Sequence, residues 1–196
     1  VLVLVLPRHW VRGLRGGQLP RRRRRSTQVA PLDGLKRPLL RRERPRLPAP
    51  LLHLVGVTGG IAAYKAPDVV RRLRDLGAEV KVIMTRGACE FITPLTLQAV
   101  SGNRVHTELL DAEAEAAMGH IELARWGDAI VVAPATADAL ARFAVGRADD
   151  LLATVLCASD APVLLAPAMN QAMWRDQANQ TNLQRLAERG YRTVGP

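Results

Sequence analysis

Asn170 sits in the string Pro-Ala-Met-Asn-Gln-Ala-Met-Trp at 167–174, directly after the apolar run Pro-Val-Leu-Leu-Ala at 162–166. The run reads as a buried strand, so Asn170 falls just past a strand's carboxyl end, where open α/β sheets bind their ligands. A carboxamide there can donate to a carboxylate or accept from an amine while remaining uncharged. The same residue could instead cap the next helix, with the Met and Trp side chains filling core. His120 is the second candidate. At a helix start an imidazole can exchange protons near neutral pH, or it can simply cap an exposed turn.

Three more loops carry residue types suited to an anionic, planar ligand. Thr58-Gly59-Gly60-Ile61 opens a helix, where glycines let backbone N–H groups approach a phosphate and the helix terminus favours its charge. The loop is neither GxGxxG nor a P-loop, so the usual dinucleotide and nucleoside triphosphate sites are disfavoured. Thr85-Arg86-Gly87 offers a guanidinium for phosphate pairing or ring stacking. Thr136-Ala137-Asp138-Ala139 combines a hydroxyl with small residues, a pattern that also serves as a routine helix N-cap. Asp149 and Asp150 read as helix caps, or as residues that shape the ligand pocket. His9, His53 and His106 have no stronger claim, and no Ser-His-Asp arrangement is legible. Cys89 and Cys157 lack metal-ligand spacing and read as small reduced core residues, so no metal site is expected.

These loops need a scaffold that gathers them. Strands are expected at 52–57, 79–84, 128–133, 163–166 and 191–194. Helices are expected at 61–76, after Thr93-Pro94, and at 120–126, 135–145, 149–158 and 177–189. In the first helix Ala62, Ala66, Val69, Val70 and Leu73 share an apolar side, and Gly77 ends it. The segment 85–87 reads as a loop, and the acidic stretch 111–115 as a solvated helix or loop. Strands alternating with helices imply an α/β fold: a parallel sheet with helices on both faces, joined by right-handed crossovers. The loops after the strands then share one edge.

The net charge of +10 does not belong to that scaffold. Residues 1–50 hold 14 of the 28 basic residues but only 2 of the 18 acidic ones, leaving the remainder at −2. This basic, Arg- and Pro-rich stretch lacks a sustained apolar period and is expected to be disordered, extraneous to the domain and functionally silent. A basic arm touching RNA or phospholipid is the alternative, but nucleic acid is not the expected partner. The apolar start, residues 1–6, is too short to span a bilayer, and no transmembrane segment is expected.

Six strings in order resemble the flavin-dependent cysteine decarboxylase family, most closely its phosphopantothenoylcysteine decarboxylase branch. They are GVTGGIAAYK (56–65), FITPL (91–95), GHIEL (119–123), APATA (133–137), ADDLL (148–152) and PAMNQAMW (167–174). The resemblance implies a Rossmann-like three-layer flavoprotein fold over 51–196, with FMN bound between subunits of a homotrimer or a dodecamer of trimers. It implies FMN contacts at Gly59, Gly60, Ile61, Thr85, Arg86, Thr136, Ala137, Asp138, Ala139 and Ala168. His120 matches the family's catalytic histidine, and Asn170 the amide that holds the substrate carboxylate.

The implied reaction is FMN-dependent oxidative decarboxylation of 4′-phosphopantothenoylcysteine to 4′-phosphopantetheine, in cytoplasmic coenzyme A biosynthesis. A phosphopantothenate–cysteine ligase domain is expected downstream or as a partner. The family's reductive step uses a cysteine on a flap beyond the position of Pro196, and neither Cys89 nor Cys157 matches it. The resemblance therefore implies a C-terminally truncated domain that stalls at the enethiol. A peptidyl-cysteine decarboxylase, which stops there by design, is the first alternative. The others are a flavin prenyltransferase and an inactive FMN-binding regulatory subunit.

Overall fold

Parallel strands with apolar residues on both faces form the centre of the domain. The computed structural model describes residues 51–109 and 119–195; the basic stretch and the acidic 111–115 segment lie outside them. The strands are β1 (Leu52–Val57), β2 (Glu79–Met84), β3 (Val105–His106), β4 (Ala129–Ala135), β5 (Val163–Pro167) and β6 (Arg192–Thr193). They form one sheet in the order β3-β2-β1-β4-β5-β6, and every neighbouring pair is parallel. The chain therefore builds outward from β1 to β3, then returns to place β4 on β1's free side. Loops leaving β1 and β4 diverge to opposite faces there and open a crevice at the carboxyl edge.

Burial on both faces explains the near-continuous apolar strands. On one face Leu54, Ile83, Ile130, Val132 and Leu165 join a core with Leu123, Leu140, Phe143, Leu152, Leu156 and Leu186. These last residues belong to α4 (His120–Trp126), α5 (Ala137–Ala144), α6 (Leu151–Ala158) and α8 (Gln177–Glu188). By alternation along each strand, Val55, Val57, Val80, Val82 and Met84 point to the other face. That face is covered by α1 (Ala66–Asp75) and α3 (Pro94–Ser101), which pack on each other and bury Val70, Leu73 and Leu97. The short helices α2 (Arg86–Cys89) and α7 (Gln171–Arg175) complete the set. The expected three-layer arrangement is the observed one.

Several local expectations need correction. The helix expected over 61–76 is two elements: a 3-10 helix, Ile61–Lys65, and then α1. Pro67 is the reason. A continuous α-helix would need its N–H to bond the Ala63 carbonyl, which proline cannot do. That carbonyl instead accepts from Ala66, one residue earlier. Gly77 does end α1, at φ +91. Residues 86–89 form a helical turn rather than a loop, capped by Thr85 Oγ1 accepting from Ala88 N at 3.3 Å. Ala135 ends β4 instead of opening a helix, because Thr136 takes the N-cap. β3 lies outside the expected strands, since two residues leave no period to read. Neither cysteine is a core residue: Cys157 is exposed, Cys89 is half-buried, and both are free thiols.

Candidate functional site

Thr58 joins the two loops that border the crevice. It is 1% exposed, and its Oγ1 donates to the Pro134 carbonyl at 2.7 Å and accepts from the Thr136 N–H at 3.0 Å. Its own N–H also reaches the Pro134 carbonyl, at 3.3 Å. A buried hydroxyl with both functions satisfied fixes the β1 and β4 loops as one unit. Thr136 Oγ1 then caps α5 by accepting from Ala139 N at 3.3 Å. The side chains of Ala137 and Ala139 are buried, so these residues can meet a ligand only through their backbone. Ala137 and Asp138 begin the helix, where N–H groups have no intrahelical acceptor.

The β2 loop closes on the same point. A Cβ added to Gly59 would lie 2.7 Å from the Gly87 carbonyl carbon, and one on Gly60 would lie 3.1 Å from Thr136 Cγ2. Glycine is thus needed at 59 because two backbones meet there. The contact brings Thr85 and Arg86 alongside Gly59, Gly60 and Ile61. Arg86 is exposed and makes no ion pair among the described residues, so its charge is available to an anion. Around these loops stand four exposed apolar side chains: Ile61 (76%), Tyr64 (60%), Phe91 (50%) and Leu95 (72%).

The β5 loop is tied to the β4 loop by Ala168 N donating to the Ala135 carbonyl at 3.0 Å. Beyond it Asn170 caps α7, its Oδ1 accepting from Ala172 N at 2.7 Å. The cap and the ligand-binding amide, posed as alternatives by the sequence, are compatible. Capping uses the oxygen, and the exposed Nδ2 keeps two N–H donors with no partner among the described residues. Met173 is 46% exposed, so it does not fill core; Met169 does pack against the main core.

His120 occupies the first position of α4, half-buried, and its Nδ1 is a buried nitrogen without a hydrogen-bond partner among the described residues. The other end of α4 lies beside the lower part of β2, where Lys81 Nζ stands 4.4 Å above the Trp126 ring. No hydrogen bond among the described residues joins His120 to the four loops. The structure gathers Gly59, Gly60, Ile61, Thr85, Arg86, Thr136, Ala137, Asp138, Ala139, Ala168 and Asn170 along the carboxyl edge, and carries His120 on a separate helix.

Sequence reasoning misses two features. One is the Thr58 staple, of which the sequence marks only the loop. The other is Arg142, which pairs with Asp149 at 2.7 Å and with Asp138 and Asp150 at 3.2 Å. Burial opposes its charge, but the three carboxylates prevail and raise its pKa. The spacing of Asp138 and Arg142, four apart on one helix, was the available signal. Asp150 also caps α6 through Ala153 N at 2.7 Å, as expected, whereas Asp149, read as a cap too, instead pairs with Arg142 and Arg147. Burial, and then the Glu90 charge, push the Cys89 thiol pKa up. No group of His, Cys, Asp and Glu among the described residues is placed to hold a metal. A shallow cleft of about 310 Å³ lined by Arg74, Glu79 and Asn103 lies at the opposite, amino edge. No described helix is long and apolar enough to cross a membrane.

Comparison with known proteins gives consistent results. The Flavoprotein family profile matches residues 44–196. The coenzyme A biosynthesis bifunctional protein CoaBC of Vibrio vulnificus (strain YJ016) is 59% identical over 143 residues, covering 73% of this chain and 36% of that protein. The protein of the same name from Escherichia coli (strain K12) is also 59% identical, with 35% of its length covered. The chain thus spans about a third of the length of the curated relatives it matches. Among solved structures, the FMN-dependent cysteine decarboxylase SpaF aligns with TM-score 0.71 and 38% identity, over 76% of this chain and 85% of that one. A mutant PPC decarboxylase, complexed with pantothenoylaminoethenethiol, aligns with TM-score 0.63 and 30% identity, over 74% and 81%.

Proposed function

Because the chain belongs to the Flavoprotein family, we propose that it binds FMN at the carboxyl edge and decarboxylates 4′-phosphopantothenoylcysteine on the way to coenzyme A. The observation that carries this reading is the fastening of the β1, β2, β4 and β5 loops into one edge beside the Asn170 amide. The residues suit FMN. The close-packed glycine backbones, the N–H groups opening α5 and the exposed Arg86 guanidinium fit a phosphate; the exposed Ile61 fits an isoalloxazine face. In this reading Gly59, Gly60, Ile61, Thr85, Arg86, Thr136, Ala137, Asp138, Ala139 and Ala168 hold the cofactor.

Bound FMN supplies the two-electron oxidation of the substrate's thiol end that makes loss of CO₂ feasible. The chain's own part is orientation and proton handling. Asn170 Nδ2 donates to the substrate carboxylate and fixes its position. His120 moves the proton released at the thiol end. Its Nδ1, without a partner among the described residues, supports this role, since a buried nitrogen left unsatisfied costs about 1–3 kcal/mol.

The exposed Ile61, Tyr64, Phe91 and Leu95 support a homo-oligomer, with a trimer as its unit. Covering them removes apolar surface from water beside the cofactor site, and a shared site lets His120 and Asn170 meet although they stand on separate elements of one chain. A cytoplasmic location and a phosphopantothenate–cysteine ligase partner belong to the same reading, since the relatives are bifunctional. A second reading, peptidyl-cysteine decarboxylation, needs the same FMN and carboxylate site, and the 38% identity to SpaF, an FMN-dependent cysteine decarboxylase, is compatible with it.

The test is direct. Purified protein should show flavin absorption bands, and anaerobic mixing with 4′-phosphopantothenoylcysteine should bleach them. His120→Asn should retain the bands and lose the bleaching. A colourless protein refutes the reading, and bleaching only by a peptide ending in cysteine selects the second one.

A further inference from the structure

We propose that Asn179 and Gln180 are positioning residues that aim the Asn170 amide at the substrate carboxylate. The inference rests on the role just given to Asn170. That residue is bound to α7 at two points: its Oδ1 accepts from Ala172 N at 2.7 Å, and its carbonyl accepts from Trp174 N at 2.9 Å. The direction of Nδ2 is therefore set by where α7 lies. Yet α7 is five residues long and buries none of them. A helix this short is unstable alone, and no side chain of its own is sunk in the core to locate it.

Only Trp174 of α7 is half-buried, and polar bonds from α8 add the fixed points that this limited packing lacks. The last carbonyls of a helix have no partner within it. Asn179 Nδ2 donates to the Met173 carbonyl at 2.8 Å, which also receives the Asp176 N–H at 3.2 Å. Gln180 Nε2 donates to the Trp174 carbonyl. α8 is itself well fixed. Leu186 is fully buried, Leu183 packs on the main core, and Asp176 caps the helix through Ala178 N at 2.9 Å. A rigid helix thus grips α7 by two amide side chains, and α7 holds Asn170 with its oxygen occupied and its donors outward. Turning that amide over would set NH₂ against the Ala172 N–H. The locked polarity favours a group that only accepts hydrogen bonds, which is what a carboxylate is.

The test uses the FMN-loaded full chain with Asn179→Ala and Gln180→Ala combined. Alanine is a better helix former than either residue, so α8 is not weakened. Binding is measured by calorimetry with a redox-inert substrate analogue in which serine replaces cysteine, and with the carboxamide of that analogue. The carboxylate analogue should bind about tenfold or more weakly, the loss expected for a misaligned charge-assisted hydrogen bond. Carboxamide binding and flavin affinity should stay near the parent values, and Tm should fall by no more than a few degrees because both bonds are solvent-exposed. In anaerobic flavin bleaching, the half-saturating concentration of 4′-phosphopantothenoylcysteine should rise, and the limiting rate should fall by less than the affinity does.

Asn170→Ser, which keeps a capping oxygen and removes the donors, is the reference. If it weakens carboxylate binding while the double variant does not, the positioning role is overturned. If flavin affinity and carboxamide binding fall as much as carboxylate binding, the two residues are merely structural and the proposal is again overturned. If Asn170→Ser itself has no effect, it is the role of Asn170 that fails.

Discussion

Replacing Thr58 by valine tests whether the two central loops are held as one unit. The side chains are nearly isosteric, so the methyl packing survives and only the hydroxyl is lost. Two strong hydrogen bonds disappear, one to the Pro134 carbonyl at 2.7 Å and one from the Thr136 N–H at 3.0 Å, together with a long contact to Thr136 Oγ1 at 3.4 Å. The carbonyl keeps its weaker bond from Thr58 N at 3.3 Å, but the Thr136 N–H is stranded beside a valine. A typical net hydrogen bond is worth about 1 kcal/mol, and a buried donor left alone costs about 1–3 kcal/mol, so the substitution should destabilise by about 2–4 kcal/mol. Urea unfolding at fixed protein and FMN concentration measures it, because ligand and assembly both shift apparent stability. Thr58→Ser, which keeps the hydroxyl and loses one methyl, should recover most of the loss, and flavin affinity should fall in the valine variant alone. A loss under about 0.5 kcal/mol for valine, or equal losses for valine and serine, would refute the reasoning.

Gly59→Ala should cost the protein its flavin colour, because a Cβ 2.7 Å from the Gly87 carbonyl carbon forces the β1 and β2 loops apart; overpacking of this kind costs about 1–3 kcal/mol. Gly77→Ala is the contrasting case. Its φ of +91 with open space around it predicts a loss of about 1–2 kcal/mol on unfolding and an unchanged flavin spectrum. His53 predicts a pH effect. Burial lowers its pKa from 6.5, against the opposing influence of the Leu51 carbonyl and Asp128. The unfolded chain therefore takes up this proton first, and stability should fall as the pH drops below about 6.5; His53→Gln should flatten that part of a Tm-versus-pH curve. Arg142→Met should destabilise by no more than about 1 kcal/mol, less in high salt, since its partners include the 81% exposed Asp138.

Periodicity and punctuation determined the strand–helix alternation, the parallel sheet and the loops at its carboxyl edge. The apolar runs at β1, β2, β4 and β5 are long enough to be unambiguous, and Pro94, Asp150 and Gly77 act through local geometry that any chain with those residues would share. Segments whose conformation depends on something outside the period read wrongly. Pro67 breaks the helix that the period alone carries through it, by way of a carbonyl four residues back. Residues 105–106 become a strand only because β2 is there to pair with. Cys157 has the profile of a core residue until the packing of α6 turns it outward.

The site divides along the same line. Residue types and spacing marked Asn170, His120 and the glycine loops, because chemistry constrains which side chains can bind a carboxylate, move a proton or admit a phosphate. Only the tertiary structure decided that Thr58 fastens two loops 76 residues apart in sequence, that Gly59 is required by the backbone of Gly87, and that the cap on α7 leaves Asn170 with donors alone. Each of these depends on a contact between strand ends that the fold brings together. Such distances are set by how the whole sheet packs, and no local pattern encodes them.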